Sequence, residues 1–158
     1  MRRTRQVLDE TTCLKILNAR DWGTLAVLGD EGYPYAVPLN YVLCDGHLYF
    51  HCAREGHKLD AIRACDKVSF CVVDRDEVIP ETYSTHYTSV IVFGRAHIVT
   101  DDAEKRRAIE VLTEKLAPNQ TEQARKHAVE SDWNALAMLR VDIEHMSGKC
   151  AKGLLPKA

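Results

Sequence analysis

Apolar and polar positions change their period several times along the chain. Behind Asp9 and Thr11, either of which can cap a helix, Leu14, Ile16 and Leu17 form a rough apolar stripe. "DETTCLKILNARDWG" therefore predicts a helix, ended by Gly23. "TLAVLGDEGYPYAVPLNYVL" predicts a hairpin around "GDEG", and "CDGHLYFHC" a second tight turn at Asp45-Gly46 followed by a third strand. "HKLDAIRAC" is a short helix burying Leu59 and Ile62, and "KVSFCVVD" a fourth strand. A long connection, "RDEVIPETYSTHYT", leads to "SVIVFGRAHIV", where Gly94 predicts a bulge or a close backbone approach. "DDAEKRRAIEVLTEKL" is the clearest helix: Asp101 and Glu104 stand at capping-box spacing, and Ile109, Leu112 and Leu116 line one side. A weaker helix, "TEQARKHAVE", precedes a last strand in which Leu139, Val141 and Ile143 alternate with Arg140, Asp142 and Glu144.

About six strands, mostly antiparallel, with a few helices predict an α+β, mainly β domain built round a small barrel. The expected domain spans residues 1–158, with 1–8 and 150–158 as tails. The strands alternate imperfectly, which implies that both faces are partly covered. One covered outer face suits an interface between two copies of the chain.

Charge and cysteine usage narrow the function classes. The net charge of −2 provides no basic field for nucleic acid. No apolar run approaches the roughly 20 residues that span a bilayer. "MRRTRQVLDETT" has a positive start but no apolar signal region, so the expected location is cytoplasmic. The six cysteines include no C-x-x-C pair, and the closest two, in "CDKVSFC", have five residues between them. They read as small hydrophobes rather than metal ligands or disulfide partners.

Three segments carry candidate chemistry. In "LYFHCAREGHKLDAI", strand parity puts Leu48, Phe50 and Cys52 on one face and Tyr49 and His51 on the other. The chain then turns at Gly56 into a helix beginning near His57. A helix start offers free N–H groups and the positive end of the dipole, and Arg54 and Lys58 add a fork and a point charge. That set suits a phosphate; two solvated cations on a first helical turn are the plainer reading. In "YPYAVPLNY", Pro38 marks an edge strand or one that faces something other than a strand. "YSTHYTSVIVFG" crowds Tyr83, His86 and Tyr87 before a buried strand, as binding loops do and as capping tyrosines also do.

Together, "GYPYAVPLNY", "LYFHCAREGHKLDAI", "SVIVFGRAHIV" and "IEHMSGK" resemble, in order and spacing, the flavin-binding split-barrel family that includes pyridoxamine 5′-phosphate oxidase. The branch named after nitroimidazole-resistance proteins is the closer match, over about Thr11 to Lys149. The resemblance implies a homodimer of six-stranded antiparallel split barrels with FMN at the subunit interface. Arg54, Lys58 and the amides near Gly56 and His57 would hold the phosphate. The backbone of Val37, Pro38, Leu39 and Asn40 would lie along the isoalloxazine, and Ser89 and Val90 would approach the ring or ribityl chain. His51 would stand beside the flavin as the candidate catalytic residue, a hydrogen-bond or proton donor; the plainer reading is a structural histidine. Trp133 would cover the ring from the C-terminal region, or serve as a core tryptophan.

The implied activity is reduction of a small, flat acceptor with NAD(P)H as a transient donor, since no G-x-G-x-x-G is present. The chain lacks the arginine- and histidine-bearing C-terminal segment that grips pyridoxal phosphate in the oxidase proper, and Thr88 stands where the resistance branch often carries an arginine. A flavin- or haem-binding sensor or carrier without turnover is the alternative of a different class, and a binder of another phosphorylated small molecule is a third.

Overall fold

A computed structural model of the chain describes residues 4–155. Its first strand is β1 (Val7–Leu8), which anneals antiparallel to Lys149 and Gly148. The expected N-terminal tail is thus shorter than predicted, and residues 1–3 lie outside the described part. Helix α1 (Glu10–Ala19) starts where Asp9 Oδ1 accepts the Thr12 N–H at 2.7 Å, and it buries Cys13, Ile16 and Leu17. It ends at Ala19, not at Gly23. Gly23 lies inside β2 (Trp22–Leu28), where an added Cβ would sit 2.6 Å from the Cys71 carbonyl oxygen. The glycine serves close packing rather than helix termination.

A turn at residues 30–32 joins β2 to β3 (Pro34–Asn40). The expected single strand through Leu43 breaks at Tyr41, whose fully buried side chain donates from its hydroxyl to the Leu17 carbonyl at 2.7 Å. Strand β4 (Val42–Cys44) then pairs with β5 (His47–Ala53) across Asp45-Gly46. Both turn residues have positive φ, 50° and 82°, as a two-residue hairpin requires. Helix α2 (His57–Ala64) follows, burying Leu59, Ala61 and Ile62.

The largest departure from expectation comes next. The stretch read as a long connection is strand: β6 (Lys67–Ile79) and β7 (Ser84–Ile98) form one long hairpin with its turn at Pro80–Tyr83. Tyr83 stands at the tip, 99% exposed, while His86 and Tyr87 are strand residues. A two-strand arm that projects past the core has no buried face, so its alternation is mute. Helices α3 (Asp102–Leu116) and α4 (Glu122–Asp132) precede the last strand, β8 (Leu136–Cys150). Asp101 caps α3 by accepting the Glu104 N–H at 2.7 Å, but the Glu104 carboxylate does not return to Asp101. It takes hydrogen bonds from Tyr49 and Arg140 instead. β8 runs through Cys150, and Ala151 is buried, so the expected C-terminal tail starts later.

The sheet order is β3-β2-β6-β7-β8-β5-β4, antiparallel throughout, with β1 added on β8. Eight strands therefore stand among the described residues where six were expected, because Tyr41 divides one strand and β1 adds another. The sheet curls into a split barrel: β3 and β5 approach each other without pairing. Gly94 sits at the predicted bulge in β7, where a Cβ would lie 2.1 Å from the Asp142 carbonyl oxygen.

Two cores result. Leu25, Phe50, Phe70, Val72, Val90 and Leu139 fill the barrel, with the Tyr41, Phe50 and Phe70 rings in mutual contact. Outside it, Val42, Tyr49 and Met138 are buried under Ala108, Ile109 and Leu112 of α3 and Val129 of α4. β5 is thus covered on both faces along most of its length. Its outward residues divide: Tyr49 lies beneath α3, and His51 is left exposed past the cover. Among the described residues no helix is long and apolar enough to cross a membrane.

Candidate functional site

At the corner where β5 gives way to α2, a helix start without a side-chain cap stands beside Arg54 and Lys58. Gly56, at the N-cap of α2, has φ +134°, a conformation that L side chains rarely adopt. Its carbonyl accepts the N–H groups of Leu59 at 2.8 Å and Asp60 at 3.2 Å, which starts the helix. No side chain caps it. The first amides of α2 therefore remain available at the positive end of the helix dipole.

Arg54 is exposed and Lys58 half-buried, and neither joins an ion pair among the described residues. Lys58 lies close enough to Cys52 for its charge to oppose burial, the larger effect, which pushes that thiol's pKa up. His57 is held from the other side: its Nδ1 is 3.4 Å from Asp30 Oδ2, and its ring meets the Tyr35 ring edge-on at 4.6 Å. Tyr35 belongs to β3, so barrel closure brings the corner against the edge strand. Among the described residues β3 pairs only with β2; Tyr35, Val37 and Leu39 turn towards the core, and Ala36, Pro38 and Asn40 face outward.

A further cation joins from α3. Lys105 is 6% exposed, and its Nζ donates to the Trp133 carbonyl at 2.9 Å while standing 4.1 Å from the Trp133 ring centroid. Burial lowers its pKa, and the charge of Arg54 lowers it further. The sequence carried a signal: Lys105 falls on the apolar stripe with Ala108, Ile109 and Leu112. A lysine there must either reach past the core or be held inside it. Trp133 packs against the outer core, half-buried, with the Arg106 guanidinium 4.4 Å from its ring centroid.

The structure groups the predicted residues unevenly. Arg54, Gly56, His57 and Lys58 share the corner, and Val37, Pro38, Leu39 and Asn40 run along the neighbouring edge strand. His51 opposes Met138 on the outer face of β5 and lines a cleft beside α3 and α4. Ser89 and Val90 lie elsewhere: β2 and β6 separate β7 from β3 in the sheet. Val90 is fully buried in the barrel, so it offers only backbone to the outside. Ser89 faces outward between Val73 and Lys149. Among the described residues no group of three or more His, Cys, Asp or Glu side chains is arranged to hold a metal, and all six cysteines are free.

The family model described as "Pyridoxamine 5'-phosphate oxidase" matches residues 9–150. No curated protein matches the chain. Among solved structures, a FAD-binding protein from Mesorhizobium loti is 29% identical, with a TM-score of 0.66 over 93% of this chain and 98% of that one. A conserved hypothetical protein from Mycobacterium tuberculosis is 24% identical, with a TM-score of 0.82 over 99% and 94%. A candidate 5-nitroimidazole antibiotic resistance protein from Bacteroides thetaiotaomicron is 22% identical, with a TM-score of 0.75 over 91% and 86%.

Proposed function

We propose a function from one premise: the chain belongs to the pyridoxamine 5′-phosphate oxidase family. It is a flavin-binding protein that uses FMN at an interface between two copies of the chain. The observation that carries this reading is the unmatched pair Arg54 and Lys58 beside the uncapped start of α2. Two cations that join no ion pair among the described residues, beside free amides, fit a phosphate dianion.

FMN, when bound, supplies a ring that accepts a hydride from a nicotinamide donor and passes electrons to a small, flat acceptor. The chain's own residues bind and orient. Arg54, Lys58 and the amides of Gly56 and His57 hold the phosphate, and the free edge at Val37–Asn40 lies along the ring. Since β2 and β6 stand between β3 and β7, Ser89 and the Val90 backbone reach that ring from the second copy. The exposed apolar residues Trp22, Val73 and Phe93 on β2, β6 and β7 support such an interface. His51 donates a hydrogen bond to the acceptor.

The test is reconstitution with FMN followed by anaerobic addition of NAD(P)H. The expected result is a yellow, dimeric protein that bleaches. A colourless protein after reconstitution would overturn flavin binding, and a bound flavin that never bleaches would overturn reductase activity. A Soret band in place of flavin maxima would move the assignment to a haem carrier.

A further inference from the structure

Helices α3 and α4 leave an open cleft of about 400 Å³ between themselves and the end of β5. Its long walls are apolar: Leu112 and Leu116 on α3, Ala124, Ala128 and Val129 on α4. Two charged residues of α4 also line it, Arg125 and Asp132. They are seven residues apart, so they stand on one side of the helix about two turns, or roughly 10 Å, from each other.

Neither charge is placed for the helix. Arg125 lies in the first turn of α4 and Asp132 is its last residue, the reverse of what the macrodipole favours. Arg125 Nη1 donates to the carbonyls of Ala117 and Gln120, which fixes the turn between α3 and α4. Its Nε and Nη2 have no partner among the described residues, and together they form an edge that can take a carboxylate with two parallel bonds. Glu122 feels the Arg125 charge but is hydrogen-bonded to Lys126. The exposed Asp132 carboxylate accepts no hydrogen bond and joins no ion pair among the described residues.

We propose that this cleft binds a linear molecule with a carboxylate at one end and a primary ammonium at the other, joined by an apolar chain of about seven methylenes. The carboxylate takes the free edge of Arg125, and the ammonium pairs with Asp132. The chain lies along the leucines and alanines between them. The span between the two charges sets the length of the ligand. A molecule with one charge leaves one end of the cleft unpaired, and a molecule with two like charges meets repulsion at one end. His51, on the floor of the cleft, has no part in this recognition, which does not rest on the flavin reading.

The probe is 8-aminooctanoate, titrated calorimetrically into the full chain with and without FMN. One saturable site per chain is expected in both. Octanoate and octylamine, each lacking one charge, should bind about fivefold more weakly, the scale of one exposed ion pair. Asp132→Lys, at an exposed position, should reverse the choice. The affinity for 8-aminooctanoate should fall about tenfold, and suberate, with a carboxylate at each end, should become the tighter ligand. Arg125→Gln should weaken octanoate and 8-aminooctanoate alike; it also releases the turn between the helices, so Asp132→Lys decides. Equal affinities for 8-aminooctanoate, octanoate and octylamine would overturn the proposal, as would a preference that Asp132→Lys leaves unchanged. Competition between the probe and FMN would overturn it too, because the cleft would then belong to the flavin site.

Discussion

Two clusters of basic side chains, one on the sheet and one at the start of α2, behave in opposite ways. Around Asp142 on β8 each basic side chain faces a carboxylate. Arg140 Nε, His47 Nδ1 and His97 Nε2 approach that carboxylate at 2.9, 2.8 and 3.1 Å, the first two off the hydrogen-bond line. Arg140 also reaches Glu104, and Arg95 lies between Asp66 and Glu144. The Arg95 guanidinium holds the Asp66 carboxyl below its ordinary pKa. At the α2 corner, by contrast, Arg54 and Lys58 form no ion pair among the described residues, and Lys105 is held by a carbonyl and a ring, with the Asp102 charge also favouring it. The matched cluster staples strands to one another. The unmatched one leaves Arg54 and Lys58 without an ion pair among the described residues.

The sharpest way to break this contrast is to remove the unmatched charges. Arg54→Ala with Lys58→Ala should lower FMN affinity by about 100-fold or more, at roughly 1.5–3 kcal/mol per charge-assisted bond. The apo melting temperature should hold or rise, because mutual repulsion with Lys105 is relieved. Equal FMN titrations for variant and wild type would remove the corner as the phosphate site. Gly56→Ala comes next. Forcing a side chain onto φ +134° should cost about 1–3 kcal/mol in chemical denaturation and weaken FMN as well.

Asp142→Asn addresses the matched cluster. It should cost about 1 kcal/mol of stability, since its partners are roughly a third or more exposed, and leave FMN affinity unchanged. An affinity loss there would mean that the two clusters are one functional unit. The smallest effect lies at high pH. Burial, with Glu104 as hydrogen-bond partner, pushes the Tyr49 phenol up to about 12. The unfolded chain gives up that proton near 10, so folding stability should fall as pH rises from about 10 towards 12. Tyr49→Phe should flatten that slope in denaturant melts read across the interval.

How much of this was legible follows from where each signal is stored. α1 and α3 were readable because caps and stripes act within a few residues, and Asp45-Gly46 and Gly94 because backbone demands are local. The corner at Arg54–Lys58 was readable for the same reason: its amides, glycine and cations lie in one short run. The β6–β7 arm was not, because strands without a buried face show no alternation.

The sequence alone determined the helices, the tight turns, the edge character marked by Pro38 and the charge left waiting at the start of α2. The tertiary structure decided what stands beside that charge. Sheet closure set Tyr35 against His57, docking of α3 brought Lys105 towards Arg54, and strand order put Ser89 across β2 and β6 from the edge strand β3. Such neighbours come from far apart in the chain, and which ones meet depends on packing the two faces of β5, which no local pattern encodes.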